Sequence, residues 1–318
     1  IESRVVPKLG HRLHLLPVRA LRGQKAGGTV AAALQIPASV AAAWRILGDV
    51  RPDLVLGVGG YASAPAALAA WTRRIPTVLL EQNAVPGMTN RLLGRIADRV
   101  CVNFAESTRY FPSGRTIETG NPVRLAAPAP RTSGEFSVLV FGGSAGARRL
   151  NEVGVDAFAR LAADGRAPRV VHQTGHAEAE GVATRYRDRG IAADVRAFID
   201  DMPTAYAAAD LVVCRAGAST LAELTALGKP AILVPYPFAA DDHQRRNAEA
   251  LVARGAAVMI LDREISAEKL AAEIAGLRDD PIRLRTMADA AKSLGRPDAA
   301  EKVVDVCLAL IDERVSRN

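Results

Sequence analysis

The sequence predicts an α/β protein with mainly parallel sheets, arranged as two consecutive halves. Three observations predict it. Short β-branched runs alternate with Ala-rich stretches long enough for crossover helices. A glycine-rich turn follows a strand in each half. The length, 318 residues, exceeds what one ordinary core organises and suits two domains.

Taken in order, strands are expected at 54–58, 77–80, 100–103, 137–141, 170–173, 211–214, 231–234 and 258–261. Residues 126–134 hold two prolines and a Ser-Gly pair with no apolar periodicity, so they read as a linker. That divides the chain into a first domain over 1–125, the linker over 126–134 and a second domain over 135–296. Ser266 is placed to cap a helix whose Leu270, Ile274 and Leu277 recur on one face, and a further helix runs through Leu294. A last helix, from about Pro297 and assigned to 297–318, is free to pack back on the first domain.

Apolar residues make up 49% and aromatic ones only 4%, which describes a globular chain with an aliphatic core. No run of about 18 apolar residues lacks charge, and no basic segment with a cleavage site opens the chain; neither a membrane span nor a signal peptide is expected. Cys101, Cys214 and Cys307 are an odd, widely spaced set with no disulfide or metal pattern, so a reducing cytoplasm is the natural compartment. With 41 basic and 34 acidic residues the net charge is +7, which favours anionic partners. The scattered aromatics supply no stacking platform, and a nucleic-acid role is the weaker reading.

The segment from Cys214 to Glu223 carries the strongest chemical signal. A buried-type strand runs into the small-residue turn Arg215-Ala216-Gly217 and then a helical pattern opening on Ala218, Ser219, Thr220 and Leu221. Such a turn aims free N–H groups and the positive end of a helix at an anion such as a diphosphate. Glu223 falls about one turn further on, where a carboxylate can accept two ribose hydroxyls. Cys214 beside Arg215 has the look of a nucleophile, yet a cysteine ending an apolar strand behaves as a small buried hydrophobe, and it is assigned no chemistry. The turns at Gly57-Val58-Gly59-Gly60-Tyr61 and Gly142-Gly143-Ser144-Ala145-Gly146 suggest two Rossmann-like halves. Neither has the full dinucleotide spacing, and the strand ending at Gln173-Thr174 supplies no ribose acid, which opposes an NAD-dependent oxidoreductase.

Together with Glu81-Gln82-Asn83, Gly120-Asn121-Pro122-Val123-Arg124, Phe198-Ile199-Asp200-Asp201-Met202 and Asp242-His243-Gln244-Arg245-Arg246-Asn247-Ala248, these segments resemble, in unbroken order, the signatures of the MurG family of peptidoglycan glycosyltransferases. The resemblance implies a GT-B fold, two Rossmann-like domains facing across a cleft. It implies inverting transfer of N-acetylglucosamine from UDP-N-acetylglucosamine to the 4-hydroxyl of undecaprenyl-linked muramyl-pentapeptide, and a peripheral location on the cytoplasmic face of the cell membrane. It implies no cofactor and no metal, in keeping with the absence of a D-x-D motif.

The same resemblance assigns roles. Arg124 and Ser144 go to the diphosphate, Phe198 and Ile199 to the uracil, and Arg215 with Ala218, Ser219, Thr220, Leu221 and Glu223 to phosphate and ribose. Asn83, His243, Gln244 and Asn247 go to the sugar side, with Gln244 and Asn247 at i and i+3 sharing one helix face. Each has a plainer alternative: solvated charge for Arg124, helix capping for Ser144, core for Phe198 and Ile199, and polar surface for Gln244 and Asn247. Glu81 is a weak candidate for acid–base chemistry, with a loop-shaping role as its alternative. The family's opening strand and G-G-T-G-G-H loop, which supplies its leading candidate base, has no counterpart after Ile1, since Gly27-Gly28-Thr29 is not followed by His and His11 and His14 do not match. On that reading the first domain is truncated and the catalytic residue unknown. The chain is then expected to bind donor while transferring sugar poorly, and a donor-binding fragment or a related GT-B enzyme with another acceptor stays open. Residues 22–45, with Lys25, Val30, Leu34, Ile36 and Val40, are the counterpart of the family's contact with an anionic membrane surface, against a core-facing amphipathic alternative.

Overall fold

The computed structural model describes residues 2–17, 26–60, 63–124, 134–143 and 146–316, without the side chains of residues 2, 4, 5 and 26–35. The 126–134 linker, apart from Gly134, lies outside the described residues. The chain forms two compact units, one of Ile1–Glu81, Pro86–Glu118 and Glu301–Asn318, the other of Gln82–Val85 and Thr119–Ala300.

The first unit contains α1 (Glu2–Lys8), α2 (Ala26–Val50), β1 (Val55–Gly57), α3 (Ser63–Thr72), β2 (Thr77–Glu81), α4 (Met88–Leu93), β3 (Arg99–Val102) and β4 (Thr116–Glu118). Its four strands run parallel in the order β1-β2-β3-β4. All five residues of β2 are buried, as a parallel strand covered on both faces requires. Side chains alternate between the faces: Leu79, Val100 and Val102 meet Ala67, Leu93 and Phe111, while Val78, Leu80 and Cys101 turn to the opposite side.

The second unit is organised by β5 (Ser137–Phe141), α5 (Arg148–Ala163), β6 (Arg169–Gln173), α6 (Ala179–Asp188), β7 (Ala193–Arg196), α7 (Met202–Ala208), β8 (Leu211–Cys214), α8 (Ala218–Leu227), β9 (Ala231–Leu233), α9 (His243–Val252), β10 (Ala257–Met259), α10 (Ala267–Asp279) and α11 (Pro281–Leu294). The sheet is wholly parallel with the order β10-β9-β8-β5-β6-β7. The chain thus leaves β5 toward β7 and returns on the other side at β8. This reversal opens a crevice at the carboxyl ends of β5 and β8, where open α/β sheets take their ligands. Apolar side chains of β5 and β8 pack under α5, α6 and α10, with Leu150, Phe158, Leu270 and Ile274 fully buried.

Helix ends follow local chemistry. The Ser266 hydroxyl accepts from Lys269 N–H at 3.1 Å, and Asp280, followed by Pro281, accepts from Arg283 N–H at 2.9 Å. α8 stops at Gly228, whose φ of 61° takes the left-handed cap. A final helix, α12 (Ala299–Val315), lays Val303 and Leu310 on Val78, Leu80 and Cys101 in the first unit.

Strand ends differ from the sequence expectation by a residue or two, and two strands were not expected at all. Both β4 and β7 are sheet edges carrying charge, Glu118 in one and Asp194 and Arg196 in the other, so neither shows an apolar run.

Candidate functional site

At the end of β8 the chain passes through Arg215-Ala216-Gly217 into α8. Gly217 is extended (φ −67°, ψ 141°) and offers no side-chain cap. Leu221 N–H is the first to close on Gly217 C=O, at 3.0 Å, so the N–H groups of Ala218, Ser219 and Thr220 precede the helical ladder and aim outward with the positive helix end. Ala218 and Leu221 are buried, Ser219 is exposed and Thr220 half-buried. Glu223 is half-buried one turn on, and Tyr206 Oη donates to its Oε2 at 2.8 Å. Burial pushes the Glu223 carboxyl upward, with the tyrosine bond pulling the other way. Burial, followed by the charge of Glu223, pushes the Cys214 thiol up, as expected of an inert buried cysteine.

Across the reversal lies the loop after β5. Gly143 (φ 92°) and Gly146 (φ 76°) take conformations that suit glycine alone, and a Cβ on Gly146 would stand 2.0 Å from Thr174 O. Ser144 and Ala145 lie outside the described residues. After β7, Phe198 is exposed and Ile199 is buried, with its amide N–H held by Gln173 rather than open to a base. Arg124 is exposed after buried Asn121.

A pocket of about 540 Å³ opens beside this crevice, lined by Gly142, Gly146, Arg149, Arg215, Tyr236 and Gln244 among others. Gln244 Oε1 accepts from the N–H groups of Ala216, at 3.2 Å, and Tyr236, at 2.9 Å. Its carbonyl is thereby spent on the protein, and only its NH2 end remains for a sugar. His243 opens α9 with Nδ1 2.7 Å from Ala240 O. Just before it, Asp241 and Asp242 hold positive φ of 54° and 53°, a strained conformation for residues with a Cβ.

Two expectations change here. Gln244 and Asn247 do not present a shared sugar-reading face. Asn247 is fully buried, its Oδ1 accepting from Ala84 N–H at 2.8 Å and its Nδ2 donating to Asn83 Oδ1 at 3.1 Å. It pins residues 82–85 into the second unit, because a buried amide must spend both ends on partners. Arg215 likewise turns inward. Its Nη1 donates to Val234 O at 3.0 Å, Pro235 O at 3.1 Å and Asp262 Oδ1 at 2.6 Å. In the first unit Glu81 is buried, and Asn90 Nδ2 donates to its Oε2 at 2.8 Å, a geometry that shapes the loop.

One network escaped the sequence reading. His172, fully buried on β6, sets Nδ1 2.9 Å from Tyr186 Oη and Nε2 3.2 Å from Asn151 Oδ1, while Asn151 Nδ2 donates to Thr174 O at 3.0 Å. Burial, then the charge of Arg185, lowers the His172 pKa to about 3. The unfolded value is near 6.5, so the histidine's contribution is complete above pH 6.5, shrinks as pH falls and is gone below about 3. Unfolding free energy should therefore fall through this window by up to ~1.4 kcal/mol per pH unit more steeply than in His172→Gln. Denaturant unfolding between pH 4 and 7 checks this; parallel profiles would contradict a neutral buried ring.

Among the described residues no helix is long and apolar enough to cross a membrane. Of the 22–45 stretch, residues 22–25 lie outside the described residues, as do the side chains of Val30 and Leu34. In the remainder Ile36 and Trp44 are exposed, and the Arg73 guanidinium stacks 3.6 Å above the Trp44 ring.

A reversed parallel sheet with an uncapped helix start and an acid one turn inside it suits the diphosphate and ribose of a nucleotide. The chain's similarity to known proteins makes this the site of a nucleotide-sugar-dependent GT-B glycosyltransferase. Residues 137–303 match the glycosyltransferase family 28 C-terminal domain, and residues 1–102 match the family's N-terminal domain. The chain belongs to glycosyltransferase family 28, in its MurG branch. The UDP-N-acetylglucosamine--N-acetylmuramyl-(pentapeptide) pyrophosphoryl-undecaprenol N-acetylglucosamine transferase of Geobacter metallireducens is 49% identical over 96% of this chain and 86% of its own length. The transferase of the same name from Anaeromyxobacter sp. strain K is 47% identical over 99% and 83%. The crystal structure of Acinetobacter baumannii MurG superposes with a TM-score of 0.78 at 32% identity, covering 96% of this chain and 87% of that one.

Proposed function

We propose that this protein transfers N-acetylglucosamine from UDP-N-acetylglucosamine to the 4-hydroxyl of undecaprenyl-linked muramyl-pentapeptide, converting lipid I to lipid II in peptidoglycan synthesis. The observation that carries the reading is the start of α8, where free N–H groups and the Glu223 carboxylate lie one turn apart beside the sheet reversal. The N–H groups of Ala218 to Thr220 receive the diphosphate, and Glu223 accepts the ribose hydroxyls. Arg124 and Ser144 join at the phosphates, Phe198 and Ile199 frame the uracil, and His243 and the NH2 end of Gln244 meet the sugar. Asn83, Asn247 and Arg215 act one step back, holding the loops that make these contacts.

The acceptor hydroxyl attacks the anomeric carbon with inversion as UDP departs. Helix N–H groups and guanidinium charge stabilise the negative charge growing on the leaving diphosphate, without requiring a metal ion or another cofactor. A base takes the hydroxyl proton. Glu81 is a weak candidate for that duty, because its carboxylate is buried against Asn90. The lipid-linked acceptor places the protein peripherally on the cytoplasmic face of the membrane, where exposed Ile36 and Trp44 beside Arg73 suit an anionic surface.

Calorimetric titration with UDP-N-acetylglucosamine, UDP-glucose and NAD tests the donor assignment, and UDP release on adding lipid I tests the transfer. Selective binding of UDP-N-acetylglucosamine and acceptor-dependent UDP release are expected. Equal affinity for NAD, or no binding by a folded sample, would overturn the donor reading. Absence of co-sedimentation with anionic liposomes would overturn the membrane assignment.

A further inference from the structure

We propose that Gln173 is a positioning residue: its one buried amide ties the glycine loop that meets the donor's diphosphate to the segment that frames its base, and so sets the distance between them. The inference rests on the donor reading above.

Gln173 closes β6 and is 3% exposed. β6 lies between β5 and β7, so at the carboxyl edge its last side chain is flanked by the loop leaving β5 and by the segment leaving β7. Nε2 donates to Gly143 O at 3.1 Å, and Oε1 accepts from Ile199 N–H at 2.8 Å. The two partners dictate the amide's orientation, since Ile199 offers only a donor here and Gly143 only an acceptor. The Gly143 carbonyl also accepts from Gly146 N–H at 3.0 Å, which closes the turn. From the following residue, Thr174 O packs so tightly on Gly146 that no side chain fits between them. The end of β6 therefore grips both ends of the glycine turn while the same amide holds Ile199. Preorganised N–H groups stabilise a leaving group only when held within about half an ångström of their working position.

Glutamate at this position separates the two tasks. It matches glutamine in length and keeps an acceptor for Ile199 N–H, but it sets an oxygen against the Gly143 carbonyl. The full chain, its Gln173→Glu and its Gln173→Met variants are titrated with UDP and, by competition, with uridine, alongside thermal unfolding. Gln173→Glu is expected to weaken UDP about tenfold and uridine less than about twofold, because only the phosphate loop is released. Gln173→Met releases both segments and should weaken both ligands. Equal losses of UDP and uridine in Gln173→Glu, or lower thermal stability with unchanged affinities, would mean an ordinary structural residue and overturn the proposal. If Gln173→Glu does not fold, Gln173→Met decides, and unchanged affinities there overturn it. A wild-type chain that binds neither UDP nor uridine instead removes the donor reading on which the proposal stands.

Discussion

Glu223→Ala is expected to raise the dissociation constant for UDP-N-acetylglucosamine by at least about 100-fold. A carboxylate that accepts two ribose hydroxyls makes two charge-assisted bonds, each worth about 1.5–3 kcal/mol, and alanine loses both. Glu223→Gln keeps the shape and one acceptor oxygen but not the charge, and a loss of about tenfold is expected. Glu223→Ala also strands the buried Tyr206 hydroxyl and should lower the unfolding temperature, whereas in Glu223→Gln, which keeps an acceptor for it, the fold should not suffer in parallel. Burial raises the Glu223 pKa, so any contribution of this group to stability is present below the unfolded value and is lost as pH rises through the folded one. Burial makes the charged form a cost to folding, and Glu223→Gln should leave the unfolding temperature unchanged or slightly higher. Titration of both variants, with unfolding temperature as the control, decides; donor affinity unchanged in Glu223→Ala would remove the ribose contact.

Arg215→Ala should produce the largest loss of stability. The Arg215 and Asp262 side chains are only 10% and 14% exposed, and they pair at 2.6 Å. Removing the guanidinium strands a nearly buried carboxylate, which Arg149 approaches only to 3.9 Å. It also strips the Val234 and Pro235 carbonyls of their donor. Breaking one side of a buried pair costs about 3–5 kcal/mol, corresponding to a fall of roughly 10 °C in unfolding temperature for a unit of this size. Arg215→Ala with Asp262→Ala should recover part of the loss, since the stranded charge is gone. An unchanged unfolding temperature with weakened donor binding would instead return Arg215 to direct contact with the phosphates.

The central strands and the start of α8 were legible because their signals are local. β8 and, after Ser137, β5 are unbroken apolar runs, and a small-residue turn before a helical pattern exposes N–H groups wherever it occurs. The edges β4 and β7 were not legible, since one face or an end of each meets solvent and their charged residues mask the alternation. The amides at Gln244 and Asn247 were found by spacing, yet spacing is silent on direction. Whether an amide reads a ligand or its own backbone depends on what the fold brings opposite it, and Asn247 meets Asn83 and Ala84 from 164 and 163 residues away in sequence.

By itself, then, the sequence determined the alternation of strands and helices, the glycine turns, the acid after the α8 start and, through seven ordered motifs, the family. Those features follow from nearest-neighbour chemistry, which a linear chain records directly. Tertiary structure alone decided the strand order that places β5 beside β8, the inward commitment of Arg215 and Asn247, the buried His172 network and the grip of Gln173 on two loops. Each of these depends on partners remote in sequence, and desolvation binds a buried polar group to whichever partner packing delivers.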